Sequence, residues 1–241
     1  MEKLELKNIK NVLLLGATGG IGGAILDYLL AQNENLNVYT LCRHPLERQR
    51  VHSHVAPQVN EQSLSQFISL YPSVKFDLVI NTIGFLENDL GGPEKSLRDI
   101  NEEKLLEYFR INTILTPVLA KVVRNNLASE GFAFVSLSAM VGSIGENELG
   151  GWYGYRASKT ALNALLKNIS IEWGRVNKRS LVLAIHPGTT QTRLSEKFNT
   201  RVTHKIHTPS EAAENICQII FSTEFSRSGS FLNWDGRSIA W

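Results

Sequence analysis

Leu15-Gly16-Ala17-Thr18-Gly19-Gly20-Ile21-Gly22-Gly23 follows a short aliphatic run, 12–15, and precedes a stretch, 21–31, where apolar residues recur at helical spacing. A strand that breaks on glycines and re-enters as a helix is a strand–turn–helix unit. Glycines let the backbone turn sharply and let a bulky anion approach it closely. The helix that follows offers N–H groups and a partial positive charge at its first turn. The same glycines would also suit a tight turn with close helix–sheet packing. Their place between strand and helix favours binding of a nucleotide's phosphates, with Gly16, Thr18, Gly20, Ile21 and Gly22 as the contact residues.

Outward from this turn the pattern repeats. Aliphatic runs of strand length stand at 12–15, 38–42, 77–83, 132–137 and 181–185, with a weaker one around 51–55. Helical patterns fill the gaps at 63–70, 101–127, 155–175 and 209–221. The last opens Thr208-Pro209-Ser210-Glu211, an N-cap, a proline at the first helical position and a capping-box glutamate. Continuous aliphatic strands alternating with helices predict an α/β fold, a parallel sheet covered on both faces. No linker, repeat or low-complexity tract divides residues 1–241, so one domain is expected.

Bulk properties narrow the function. The chain has 241 residues, 43% of them hydrophobic, enough for one sizeable core. A net charge of +2 gives no reason to expect nucleic acid as a partner. No apolar run approaches the ~20 residues that cross a bilayer, and Met1-Glu2-Lys3-Leu4-Glu5 is charged, so a cytoplasmic protein is expected. Cys42 and Cys217 lack metal-ligand spacing and read as small hydrophobes in a reducing compartment. His52-Ser53-His54 and His204-Lys205-Ile206-His207 lack the companions of a metal site, so both read as solvated histidines and no metal is expected.

Tyr155-Arg156-Ala157-Ser158-Lys159 carries the chemistry. Residues four apart share one helix face. An ammonium beside a phenol favours the phenolate and is expected to lower its pKa, making Tyr155 an acid/base. By itself this spacing is common. With the glycine turn Gly16-x-x-x-Gly20-x-Gly22 at the other end of the chain, it resembles the short-chain dehydrogenase/reductase family. Further landmarks fall in the family's order: Asn81-Thr82-Ile83-Gly84, Asn112 in Ile111-Asn112-Thr113, and Pro187-Gly188 leading to Thr192. Gly150-Gly151-Trp152-Tyr153-Gly154-Tyr155-Arg156-Ala157-Ser158-Lys159 is similar to the reductases related to the bacterial C-factor and to insect sniffer-type carbonyl reductases.

The resemblance implies a Rossmann-type, doubly wound sheet of about seven strands. It implies hydride transfer between a nicotinamide cofactor and a small carbonyl or alcohol substrate. Tyr155 would be the acid/base, Lys159 would hold the nicotinamide ribose, and Asn112 would relay protons through water to Lys159. Asn81, Gly84, Pro187, Gly188 and Thr192 would line the cofactor. A serine should polarise the substrate oxygen. Counting back from Gly142 lands on Ala139, but strand register is firmer than loop length and assigns the role to Ser138, with Ser136 and Ser143 as fallbacks. Leu41-Cys42-Arg43-His44 holds no carboxylate for ribose hydroxyls, and Arg43 could pair with a 2′-phosphate, so NADP(H) is expected over NAD(H). Gly19 stands where many NADP-preferring relatives carry a basic residue, and His54-Val55-Ala56 replaces the family's usual aspartate. Segment 191–207, with Arg193, Lys197, Arg201 and Lys205 against Glu196, corresponds to a substrate lid in relatives; its basic charge could favour an acidic substrate or the cofactor phosphates, although a solvated charged loop is the more ordinary reading. Helices 101–127 and 155–175 are the surfaces through which relatives form homodimers or homotetramers. The alternative is a nucleotide-binding signalling or regulatory protein with little turnover.

Overall fold

Seven parallel strands make one sheet: β1 Asn11–Leu15, β2 Asn37–Cys42, β3 Val51–Val55, β4 Leu78–Asn81, β5 Phe132–Leu137, β6 Ser180–His186 and β7 Ser230–Asn233. The computed structural model describes residues 2–89, 91–197 and 205–241. Spatial order is β3-β2-β1-β4-β5-β6-β7, every neighbouring pair parallel. From β1 the chain runs outward to β2 and β3, then crosses to β4 on the other side of β1. The order therefore reverses at the β1/β4 boundary, and in such sheets ligands bind beyond the carboxyl ends of the strands at that point.

Among the described residues six α-helices cover the sheet: α1 Gly20–Gln32, α2 Glu61–Ser69, α3 Glu102–Tyr108, α4 Leu115–Val123, α5 Tyr153–Val176 and α6 Pro209–Ser222. Strand side chains alternate between faces. Val12, Leu14, Ile80, Val135 and Leu183 pack with Ile25 and Leu29 of α1 and Ile216 and Ile220 of α6. Leu13, Leu15, Val79, Phe134 and Val182 pack with Phe67 of α2, Leu119 of α4, and Leu162 and Leu166 of α5. Burial on both faces is why these strands read as unbroken aliphatic runs.

The weak run at 51–55 is the edge strand β3, paired in register with β2 from Val38↔Val51 to Cys42↔Val55. Its open side leaves His52, His54 and Val55 exposed, which thins its apolar signal. β7 has four residues, too short to stand out from its turns. The helix expected over 101–127 is interrupted between α3 and α4 by a π-helical segment, Phe109–Ile114, with Asn112 inside it. Such single turns of wider winding recur at functional sites. At α6 the capping box forms as expected, Thr208 Oγ1 accepting from Glu211 N and Glu211 Oε2 accepting from Thr208 N.

Candidate active site

The glycine turn sits at the carboxyl end of β1, where the strand order reverses. Gly16 has φ +87°, and a Cβ there would stand 2.3 Å from Thr82 Oγ1, so only glycine fits. Thr82 in turn donates to Leu15 O at 2.8 Å, locking the turn to the end of β4. α1 starts from Gly19, which has no side chain to cap it, and its first turn holds no carboxylate. The first-turn N–H groups are thus available to an external anion. Thr18, Gly19 and Gly20 are exposed around them. Arg43, one residue beyond β2, is exposed and forms no ion pair among the described residues. These features suit an anionic ligand such as a nucleotide's phosphates.

The far wall comes from the segment after β6. Gly188 has φ +76°, and a Cβ would meet His207 Cδ2 at 2.7 Å and Trp234 Cδ1 at 3.1 Å. The His207 ring lies 4.5 Å from that of Trp234. Contrary to the solvated reading, His207 is buried and backs the Pro187-Gly188 turn. His52 and His54 are exposed as read, His52 stacked on Tyr39; His204 lies outside the described residues. Thr192 closes over the glycine turn: a Cβ at Gly20 would be 2.8 Å from its methyl group. Gly84 stands between Asn112 and Leu194, a Cβ there lying 3.9 Å from Asn112 Oδ1 and 4.0 Å from Leu194. Asn81 departs from its expected role. Its Nδ2 donates to Thr116 Oγ1 at 3.0 Å and its Oδ1 accepts from Ile83 N, so the side chain ends β4 rather than lining the cleft.

Tyr155 and Lys159 are both buried on the inner face of α5. Lys159 Nζ is 5.9 Å from the Tyr155 ring centre and donates to Leu137 O at 2.9 Å. The Tyr155 hydroxyl has no hydrogen-bond partner among the described residues, yet it is not among the fully enclosed polar atoms. It therefore reaches accessible space with its proton uncommitted. The expected lowering of its pKa is reversed: burial pushes the phenol up to about 12. Burial also brings the Lys159 ammonium down to about 8. Desolvation disfavours the charged form of each, and the ammonium rests on a carbonyl rather than on the phenol oxygen. At neutral pH the pair is a neutral phenol beside a mostly protonated amine.

Asn112 is buried and doubly tied to Phe85, accepting from its N–H at 2.8 Å and donating to its O at 2.9 Å. It also donates to Ser158 Oγ at 3.2 Å, next to Lys159 in sequence. No bond joins Asn112 to Lys159 itself.

The serine does not arrive where strand register placed it. Ser138 Oγ donates to Asn163 Oδ1 at 2.7 Å. Asn163 follows Tyr155 by eight residues, about 12 Å along the helix axis at 1.5 Å per residue. Ala139 is extended, at φ −149° and ψ 150°, so its side chain points opposite to that of Ser138. Its methyl joins the cluster of Phe85, Leu86, Tyr108, Val141, Trp152 and Tyr155. Ser136 pairs with Thr116 Oγ1, and Ser143 Oγ accepts from Glu146 N. The residue that packs into the Tyr155 cluster is thus Ala139, the one reached by counting back from Gly142.

Other site residues had no sequence signal. The apolar wall is assembled from four separate segments. Glu94 and Lys104 form a buried pair at 3.7 Å beneath it. Glu94 Oε2 accepts from Gly154 N at 3.1 Å and Glu94 O accepts from Trp152 N, so this loop residue caps α5 just before Tyr155. Trp152, the N-cap itself, is left-handed and offers no side-chain cap. Part of the basic charge of segment 191–207 is paired with carboxylates outside it: Lys197 with Glu87 at 2.7 Å and Lys205 with Glu211 at 2.9 Å. Arg201 lies outside the described residues.

This arrangement has counterparts. The family described as Enoyl-(Acyl carrier protein) reductase matches residues 60–236. The 1-hydroxy-2-glutathionyl-2-methyl-3-butene dehydrogenase of Rhodococcus sp. (strain AD45) is 30% identical over 168 residues, 70% of each chain. The C-signal protein of Myxococcus xanthus is 24% identical over 68% of this chain and 92% of its own. Among solved structures, the carbonyl reductase Sniffer of D. melanogaster superposes with a TM-score of 0.83 at 22% identity, over 97% of this chain and 100% of that one. The NADPH-bound carbonyl reductase from chicken fatty liver does so with a TM-score of 0.83 at 23% identity, over 97% and 99%. With a family match spanning most of the sequence and a parallel seven-stranded sheet whose glycine turn lies at its switch point, this chain belongs to the short-chain dehydrogenase/reductase family.

Proposed function

We propose that the chain is an NADP(H)-dependent oxidoreductase that interconverts a small carbonyl compound and its alcohol. The observation that carries this is Tyr155: a buried, neutral phenol, uncommitted to any protein acceptor, four residues from a buried lysine. When bound, the nicotinamide supplies or accepts the hydride. The first turn of α1, with Gly16, Thr18, Gly20, Ile21 and Gly22, binds the pyrophosphate through backbone N–H groups. Arg43 pairs with the 2′-phosphate. Lys159 leaves Leu137 O to hold the ribose. Gly84, Pro187, Gly188 and Thr192 shape the wall facing the nicotinamide. Tyr155 gives its proton to the carbonyl oxygen during reduction and takes one from the alcohol in reverse. Asn112 fixes the Phe85 backbone to α5 and keeps the floor of the site in register with Tyr155.

Titrating the apoprotein with NADPH and NADH by fluorescence, and then comparing their rates over one panel of aldehydes and ketones, tests this assignment. Tighter binding and faster turnover with NADPH are expected. A large preference for NADH sinks the Arg43 assignment, and failure to bind either nucleotide sinks the reading as a whole.

A second reading has one observation in its favour. Ala139 stands where a hydroxyl would assist Tyr155, which would suit a nucleotide-binding regulatory protein with little turnover. A biological effect that survives Tyr155→Phe would select that reading.

A further inference from the structure

A carbonyl oxygen has two lone pairs, and charge grows on it as the carbon accepts hydride. Donors aimed at that charge stabilise the transition state, and losing one costs roughly 10²–10³ in rate. Tyr155 supplies one donor. The structure leaves the adjoining place without a hydroxyl. Ser138 is committed to Asn163, and Ala139 puts a methyl group into the Tyr155 cluster. The neighbouring polar groups are occupied: Tyr108 Oη donates to Leu86 O at 2.6 Å, and Asn112 Nδ2 is held by Phe85 O and Ser158 Oγ.

We propose that the segment after β5 gives the reacting oxygen no hydroxyl, Ala139 filling that place, and that the chain is therefore selective for carbonyls already polarised by an electron-withdrawing neighbour. The inference rests on the reductase reading above and specifies its substrate class. In the step, the carbonyl carbon gains a hydride from the reduced nicotinamide. The C=O π pair moves to oxygen, and that oxygen takes the Tyr155 proton. A carbonyl flanked by an electron-poor aryl ring, or by a second carbonyl, meets the hydride with a lower barrier and depends less on a second donor. Phe85, Leu86, Val141 and Trp152 around Tyr155 suit an apolar or aryl body on such a substrate.

A series of para-substituted acetophenones tests this, because ring substituents change the electrophilicity of the carbonyl and leave its surroundings nearly constant. In the wild type, kcat/KM should rise steeply from methoxy to nitro. Ala139→Ser should raise kcat/KM for the methoxy ketone about 10²-fold, the size of one restored donor, and flatten the series. A crystal structure of that variant should place the new hydroxyl within hydrogen-bonding distance of Tyr155 Oη. Ser138→Ala should keep the wild-type slope. The proposal is overturned by a flat wild-type series, or by an Ala139→Ser hydroxyl that reaches Tyr155 without changing the slope. It is also overturned if Ser138→Ala, with nucleotide affinity intact, loses activity on every ketone. A wild type that binds nucleotide but reduces none of the series removes the reductase reading itself; a flat series at measurable rates removes only the donor proposal.

Discussion

Tyr155 and Lys159 show how a four-residue spacing specifies proximity without specifying charge. Their helical register was readable from sequence, because i and i+4 share a face whatever surrounds them. The direction of the pKa shifts was not, because it depends on burial contributed by Phe85, Tyr108 and Trp152 from distant segments. Burial lowers Lys159 from 10.5 to about 8. Between those values the unfolded lysine binds a proton that the folded one has released, so stability rises with pH across that window. Tyr155, raised from 10.0 to about 12, works in the opposite direction only above its unfolded value. Denaturant melts of the nucleotide-free protein at pH 8, 9 and 10 should show the wild type gaining on Lys159→Met by up to about 1 kcal/mol per pH unit. Parallel curves for the two proteins would mean that the lysine is not desolvated. Ser138 illustrates the limit of register at the same scale: one position along an extended strand turns a side chain to the opposite face. The strand's length alone could not decide between Ser138 and Ala139.

Among the elements, α1, α5 and α6 were legible because each carries its signal locally, in glycines, in apolar spacing or in a capping box. The start of α5 was not. Its cap comes from Glu94, 60 positions earlier, and its N-cap residue Trp152 is left-handed, with φ 53°. Gly154 has no room for a side chain, since a Cβ would lie 2.4 Å from Tyr108. The N-terminus of α5 is therefore wedged against α3 and pinned by a carboxylate that Lys104 neutralises. Glu94→Ala removes the acceptor from Gly154 N and strands the buried ammonium of Lys104. A loss of about 3–5 kcal/mol is expected in denaturant unfolding, as for other broken buried pairs. A change below about 1 kcal/mol would show that the pair is dispensable, because isolated exposed pairs contribute no more than that. The π-helical segment between α3 and α4 was equally hidden: the apolar spacing of 101–127 continues through it.

For the whole molecule, the order of landmarks carried the fold. A glycine turn after the first strand, Asn81–Gly84 after the fourth and Pro187-Gly188 after the sixth all fall at the carboxyl edge of one parallel sheet. Chain topology brings them together although 171 positions separate Gly16 from Pro187. The apolar wall around Tyr155 was not legible, because no single stretch contains it. The expected self-association is tested at this scale. Leu106 of α3, Ile114 beside α4, and Ile171 and Val176 of α5 are exposed on the helices that the sequence resemblance marks as an expected pairing surface. Burying them against a second copy is favourable at roughly 25 cal/mol per Å² of apolar surface. Light scattering on the purified chain should give twice or four times the chain mass; a monomer at every concentration would rule out these helices as a stable interface.

The catalytic assignment converges on one phenolic proton. Tyr155→Phe keeps the ring in its cluster and removes only that proton, so kcat for ketone reduction and the NADPH dissociation constant should be measured together on the variant. A fall in kcat of about 10²–10⁴-fold with an unchanged dissociation constant is expected for the loss of a general acid. Turnover at the wild-type rate would contradict the role assigned to Tyr155.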